Sequence, residues 1–197
     1  MRRLGVGVSR DSAIGCMSKA IPYPEPALRG ELFVLRAFRS SDFEVAREFQ
    51  ERSGESRYIE ALPEADGKSM ERACERNRLE GAVLQLVIGA PNDESYLGEV
   101  TLVMLEPGTA ELGCAVIPQA RGRGIASEAL KLLSTWALED LSLRRLHVLV
   151  DTRNLAALKL SENAGYRREG VLRSYWEVEG ELMDAVMLSR LPGDADR

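Results

Sequence analysis

The stretch that most constrains this chain runs from Glu111 to Lys131, ELGCAVIPQARGRGIASEALK. An apolar run, Leu112 to Ile117, stops at Pro118, whose ring removes a backbone donor and cannot continue a strand ladder. Gln119 to Gly124 then supplies two glycines and two arginines, and a helical period opens at Ile125. Strand, phosphate-sized loop, helix is the order this predicts. The first turn of a helix leaves backbone N–H groups unpaired, and the helix dipole puts partial positive charge there. Glycines let the backbone turn sharply and approach a ligand with no Cβ in the way. Arg121 and Arg123 add full charge, so phosphate oxygens are the natural occupant of the segment Arg121, Gly122, Arg123, Gly124, Ile125 and Ala126.

The motif Gln119-x-x-Gly122-x-Gly124 resembles the acetyl-CoA pyrophosphate loop of the GNAT superfamily of N-acetyltransferases. It is neither a dinucleotide fingerprint, which needs a third glycine, nor a P-loop, which needs Gly-Lys-Ser/Thr. A second block supports the resemblance. In DTRNLAALKLSENAGYRREGVL, the residues Asn154, Gly165, Tyr166, Glu169, Gly170 and Leu172 match a fourth-helix segment of that superfamily. The two blocks together resemble the branch of the ribosomal-protein alanine acetyltransferases, called RimJ/RimL-like. The resemblance covers residues 31 to 191. It implies acetyl-CoA as co-substrate, no metal, and Asn154 as a further cofactor contact.

The rest of the chain reads in step with that. Residues 1–28 form an irregular, Pro-rich leader, 29–191 one acyltransferase domain, and 192–197 a polar tail. Glu31–Phe38 reads as a strand. Ser40-Ser41-Asp42 offers a cap to a helix that Gly54 ends, and Ser69 opens a second helix. Ala82–Ile88, Tyr96–Leu105 and Ala110–Ile117 are three strands separated by turn residues, an antiparallel meander. From Ile125 a helix buries Ile125, Ala129, Leu132, Leu133, Trp136 and Ala137 on one stripe. Arg145–Val150 is a strand, and the following helix closes on Gly165. Tyr166–Val178, bent, pairs back with Glu181–Ser189. The order β-α-α-β-β-β-α-β-α-β-β gives a mixed α/β fold. Its central sheet is mostly antiparallel and splayed in the middle, with helices on both faces.

Charge and cysteines narrow the partners. A net charge of −5 argues against general nucleic-acid binding, although Arg121 and Arg123 keep a remote RNA-binding alternative in view. No run approaches 18 apolar residues, so no membrane span is expected. Three scattered cysteines and a single histidine make a four-ligand zinc site improbable, and reduced thiols point to the cytoplasm. The final hairpin is a candidate surface for a homodimer.

The implied chemistry passes an acetyl group from acetyl-CoA to a primary amine, either a protein N-terminal α-amine or a small-molecule amine. The alternative is a non-catalytic acyl-CoA-binding regulatory module. Backbone groups of Ala115, Val116 and Ile117, at a splayed strand, would hold the pantetheine arm and polarise the thioester. The amine must be neutral to attack, which at pH 7 costs roughly 1 kcal/mol for an α-amine and roughly 5 for lysine. Glu111, on the strand leading into the cofactor site, is the first candidate base, and Glu99 on the neighbouring strand is the second. Where branch members carry a serine near the CoA sulfur this chain has Ala157, and where others carry a tyrosine acid it has Ser161, whose hydroxyl is the candidate partner of the departing sulfur. The resemblance also makes Arg57, Tyr58 and Glu60 candidate substrate contacts. His147 reads as a packing residue and Cys114 as a structural thiol.

Overall fold

The computed structural model describes residues 19–53, 66–178 and 180–194. Its elements are β1 (Val34–Ala37), α1 (Phe43–Ser53), α2 (Gly67–Leu79), β2 (Val83–Gly89), β3 (Tyr96–Met104), β4 (Thr109–Val116), α3 (Ile125–Glu139), β5 (Arg145–Asp151), α4 (Leu155–Asn163), β6 (Arg167–Val178) and β7 (Glu181–Arg190). The strands form a seven-stranded sheet in the order β1-β2-β3-β4-β5-β7-β6. Neighbours are antiparallel throughout, except for the parallel pair β4–β5. This is the mixed α/β order expected from the sequence.

The parallel pair positions the site. β4 and β5 are in register only at Thr109–Arg145, Ala110–Leu146 and Glu111–His147. Beyond that point β4 continues its ladder with β3 as far as Val116, and β5 continues with β7 as far as Asp151. The two halves of the sheet therefore part into a V whose vertex is the Glu111–His147 pair.

Each face of the sheet carries its own apolar cluster. On the α3 and α4 face, Leu86, Leu102, Leu112, Leu146 and Leu188 meet Ile125 and Leu133. Burying each such side chain contributes about 1.5–3 kcal/mol before entropy is counted. The buried sector of α3 includes Leu130, Ser134 and Leu138, and Leu132 is only half-buried. The stripe is broader than its period suggests because α3 meets α4 as well as the sheet, as the Ser127 hydroxyl bonding the Leu160 carbonyl shows (3.2 Å). On the other face α1 and α2 cover β2 and β3 through Phe38, Phe43, Phe49, Met70 and Val87.

Three departures from the sequence reading have a local physical cause. The first strand begins at Val34, because Leu35 N–H bonds the Leu28 carbonyl and Gly30 N–H the Phe33 carbonyl, folding residues 28–35 into a tight bend. Ser40–Asp42 is a 3-10 turn rather than an open cap. The Asp42 carboxylate accepts from Arg39 N–H (2.8 Å) and takes a two-pronged grip from Arg36 (2.7 Å each), almost entirely buried. Helix α2 is capped by Asp66, which accepts from Ser69 N–H, so Ser69 lies inside the helix it was expected to open. Within the expected leader, Ile21 is buried and exchanges bonds with Arg78 of α2. The bend in β6 is present as register slips after Arg168 and Leu172.

Candidate active site

The loop before α3 has the shape its sequence requires. Pro118–Ala120 makes a 3-10 turn, after which Gly122 (φ 73°) and Gly124 (φ 80°) take left-handed conformations that favour glycine. Gly124 is the N-cap of α3 and supplies no side-chain cap, so the amides of Ile125, Ala126 and Ser127 stay available. A Cβ built on Gly122 or Gly124 would meet nothing within 4 Å, which means the space before the loop is open. Arg121 and Arg123 are exposed there. The Arg121 amide bonds the Pro118 carbonyl and its Nε bonds the Val116 carbonyl (3.1 Å), tying the arginine to the end of β4. Uncapped donors, two cations and a backbone without side chains fit a diphosphate.

The V opens between this loop and its vertex. Ile117 N–H bonds Leu97 on β3 (2.9 Å). Alternation then gives Glu111, Gly113 and Ala115 to the β3 ladder, and turns the backbone of Leu112, Cys114 and Val116 toward the opening. Of Ala115, Val116 and Ile117, it is Val116 whose amide faces the gap. The Glu111 side chain is level with the vertex, on the α1–α2 face, with its Oε2 3.3 Å from His147 Nε2. Beside it Gly113 leaves the floor bare, and a Cβ there would lie 2.9 Å from the Thr101 hydroxyl.

Glu99 is elsewhere. It pairs with Ala115, whereas Glu111 pairs with Val103, a separation of roughly 13 Å along the strands. It lies beneath α1 and is 1% exposed, and burial pushes its carboxyl up to about 7 despite the Gln85 amide donating to it (2.7 Å). Gln50 stands close enough to favour the charge but reaches no hydrogen-bond geometry, leaving Gln50 Nε2 and Glu99 Oε1 without partners.

Residues 33–167 match the family model described as Acetyltransferase (GNAT) domain. The chain belongs to the GNAT acetyltransferases. It is 27% identical over 166 residues to the uncharacterized N-acetyltransferase p20 of Bacillus licheniformis, spanning 82% of this chain and 93% of that protein. Its fold matches a putative ribosomal-protein-serine acetyltransferase from Vibrio cholerae (TM-score 0.71, 18% identity, 87% of this chain and 100% of that one). It also matches the spermidine N-acetyltransferase of Vibrio cholerae in complex with CoA and spermine (TM-score 0.72, 19% identity, 85% and 100%). The protein is an acetyl-CoA-dependent N-acetyltransferase.

The remaining candidate residues of this GNAT enzyme are placed as follows. Asn154 caps α4, its Oδ1 accepting from Ala157 N–H (3.0 Å), so only its amide nitrogen is left to donate to a ligand. Ser161 corrects the expectation of an open hydroxyl: it is 3% exposed and donates to the Ala157 carbonyl within its own helix (2.9 Å). The geometry of a helix interior wins, since a serine there bonds the carbonyl four residues back. Cys114 Sγ points to the Ala126 carbonyl on the α3 side, away from Glu111. Arg57, Tyr58 and Glu60 lie outside the described residues.

Sequence reasoning did not place His147 beside Glu111. Read alone, β5 is an apolar strand with one polar interruption. Set parallel to β4, the same residue stands opposite Glu111. Continuing outward, β7 sets Ser189 opposite His147. The Ser189 hydroxyl donates to Glu169 (2.6 Å), and Arg145 grips the same carboxylate. The Arg145 guanidinium, then the Ser189 hydroxyl, and lastly the charges of Arg145 and His147 hold Glu169 down to about 2.

Proposed function

We propose that this acetyltransferase holds the acetyl-CoA diphosphate on the first-turn amides of α3 with Arg121 and Arg123, and receives a primary amine over Gly113 from the α1–α2 face. The acceptor is a protein N-terminal α-amine or a small polyamine-like amine. Names among the similar proteins support both, one a ribosomal-protein-serine acetyltransferase and another a spermidine acetyltransferase. Glu111 takes the proton that the amine must lose. The observation carrying this is the place of Glu111 at the last paired position before β4 and β5 part, beside a glycine floor. Its carboxylate accepts the ammonium proton, the neutral nitrogen attacks the thioester carbonyl, and a gap-facing β4 amide stabilises the charge that develops on oxygen. On collapse, the second N–H proton ends on the departing sulfur. Ser161 does not supply it in this arrangement, since its hydroxyl donates to the Ala157 carbonyl. Cys74 and Cys114, outside any disulfide, support a cytoplasmic enzyme, and exposed Val171, Tyr175 and Leu182 on the final hairpin support a homodimer.

The test is thiol release from acetyl-CoA with spermine and with an alanine-headed peptide, using wild type and Glu111→Gln. The isosteric variant should lose about 10²–10⁴ in kcat while its affinity for acetyl-CoA is unchanged. Full turnover by Glu111→Gln would remove Glu111 from the role.

A further inference from the structure

We infer that His147 is the exit for the reaction's proton, carrying it from Glu111 at the vertex of the V to solvent on the outer side of the sheet. This rests on the reading of Glu111 as the acceptor of the amine's proton. Turnover converts an ammonium and a thioester into an amide, a thiol and one proton, and that proton must leave Glu111 before the next cycle. Glu111 is two-thirds covered and stands against His147 Nε2 at 3.3 Å. An imidazole takes a proton on one nitrogen and releases one from the other, which no neighbouring side chain can do.

The surroundings fit a conduit more closely than a packing contact. His147 stands between carboxylates on two sides, Glu111 from β4 and Glu169 from β6. Glu169 is clamped by Arg145 and Ser189, so it remains charged throughout any practical assay range and acts as a fixed counter-charge rather than a proton store. Tyr175, whose hydroxyl is pushed up by burial and then by the Glu111 charge, is a further ionisable group near the pair among the described residues and stays neutral. The His147 side chain is not fully buried, keeping 12% of its surface exposed. The steps balance: Glu111 carboxylate gains the ammonium proton, gives it to His147 Nε2, and the imidazolium loses a proton from its second nitrogen to water, restoring both groups.

The experiment measures kcat for wild type, Glu111→Gln, His147→Gln and His147→Ala with acetyl-CoA and either spermine or the alanine-headed peptide, with and without added imidazole. Thermal melts and acetyl-CoA binding check that each variant is folded. His147→Gln keeps a donor for Glu111 and cannot relay, so its kcat should fall 10- to 100-fold with KM for acetyl-CoA unchanged. In His147→Ala, imidazole should restore at least a quarter of the lost rate, in proportion to its free-base concentration. If Glu111→Gln is impaired but His147→Gln runs at wild-type rate, or imidazole rescues nothing, the relay is wrong and the base reading stands. If Glu111→Gln itself is unimpaired, the base reading fails first.

Discussion

Replacing Glu99 by glutamine should make the protein more stable at alkaline pH, by an amount set by the burial of that carboxyl. Its ordinary value of 4.5 is raised to about 7. Between those values the folded state holds a proton that the unfolded state has lost, so stability falls as pH rises through this window. The whole interval is worth about 3 kcal/mol at about 1.4 kcal/mol per pH unit. Glutamine keeps an oxygen for the Gln85 amide and carries no charge to desolvate. For a domain of this length about 3 kcal/mol corresponds to roughly 6–12 °C in Tm. Thermal melts from pH 5 to pH 8.5 should show Glu99→Gln matching wild type near pH 5 and exceeding it by that margin at pH 8. A gap between the two proteins that does not change with pH would refute the argument, and would mean that Glu99 carries its charge in contact with water. Near-wild-type kcat in the same variant would also confine Glu99 to structure.

Gly124→Val should lower acetyl-CoA affinity at least 10-fold by calorimetry. The left-handed φ alone costs about 1–3 kcal/mol, but the protein leaves the side chain room, so the loss beyond that is displacement of the ligand. Asp42→Asn should destabilise by about 1.5–3 kcal/mol in urea unfolding, because it takes the paired charge from the buried Arg36 guanidinium, which keeps only the Ala37 and Glu94 carbonyls and the Glu94 carboxylate at 3.9 Å.

Much of this protein was legible before folding. Pro118, the two loop glycines and the apolar period from Ile125 are local signals, so the strand, phosphate loop and helix could be placed from neighbours in sequence alone. Strand and helix order followed for the same reason, since periods of two and 3.6 are written along the chain. What the sequence left open depends on partners far away in it. Glu111 and Glu99 look alike as strand carboxylates, and only the β3–β4 register puts one at the vertex and the other under α1. Ser161 looked like a free hydroxyl until its helix supplied the carbonyl that holds it. His147 looked like filler until a parallel strand 36 residues earlier set Glu111 against it. A residue's reach along its own element is fixed by backbone geometry, but its charge state and its chemistry are fixed by what the fold packs against it.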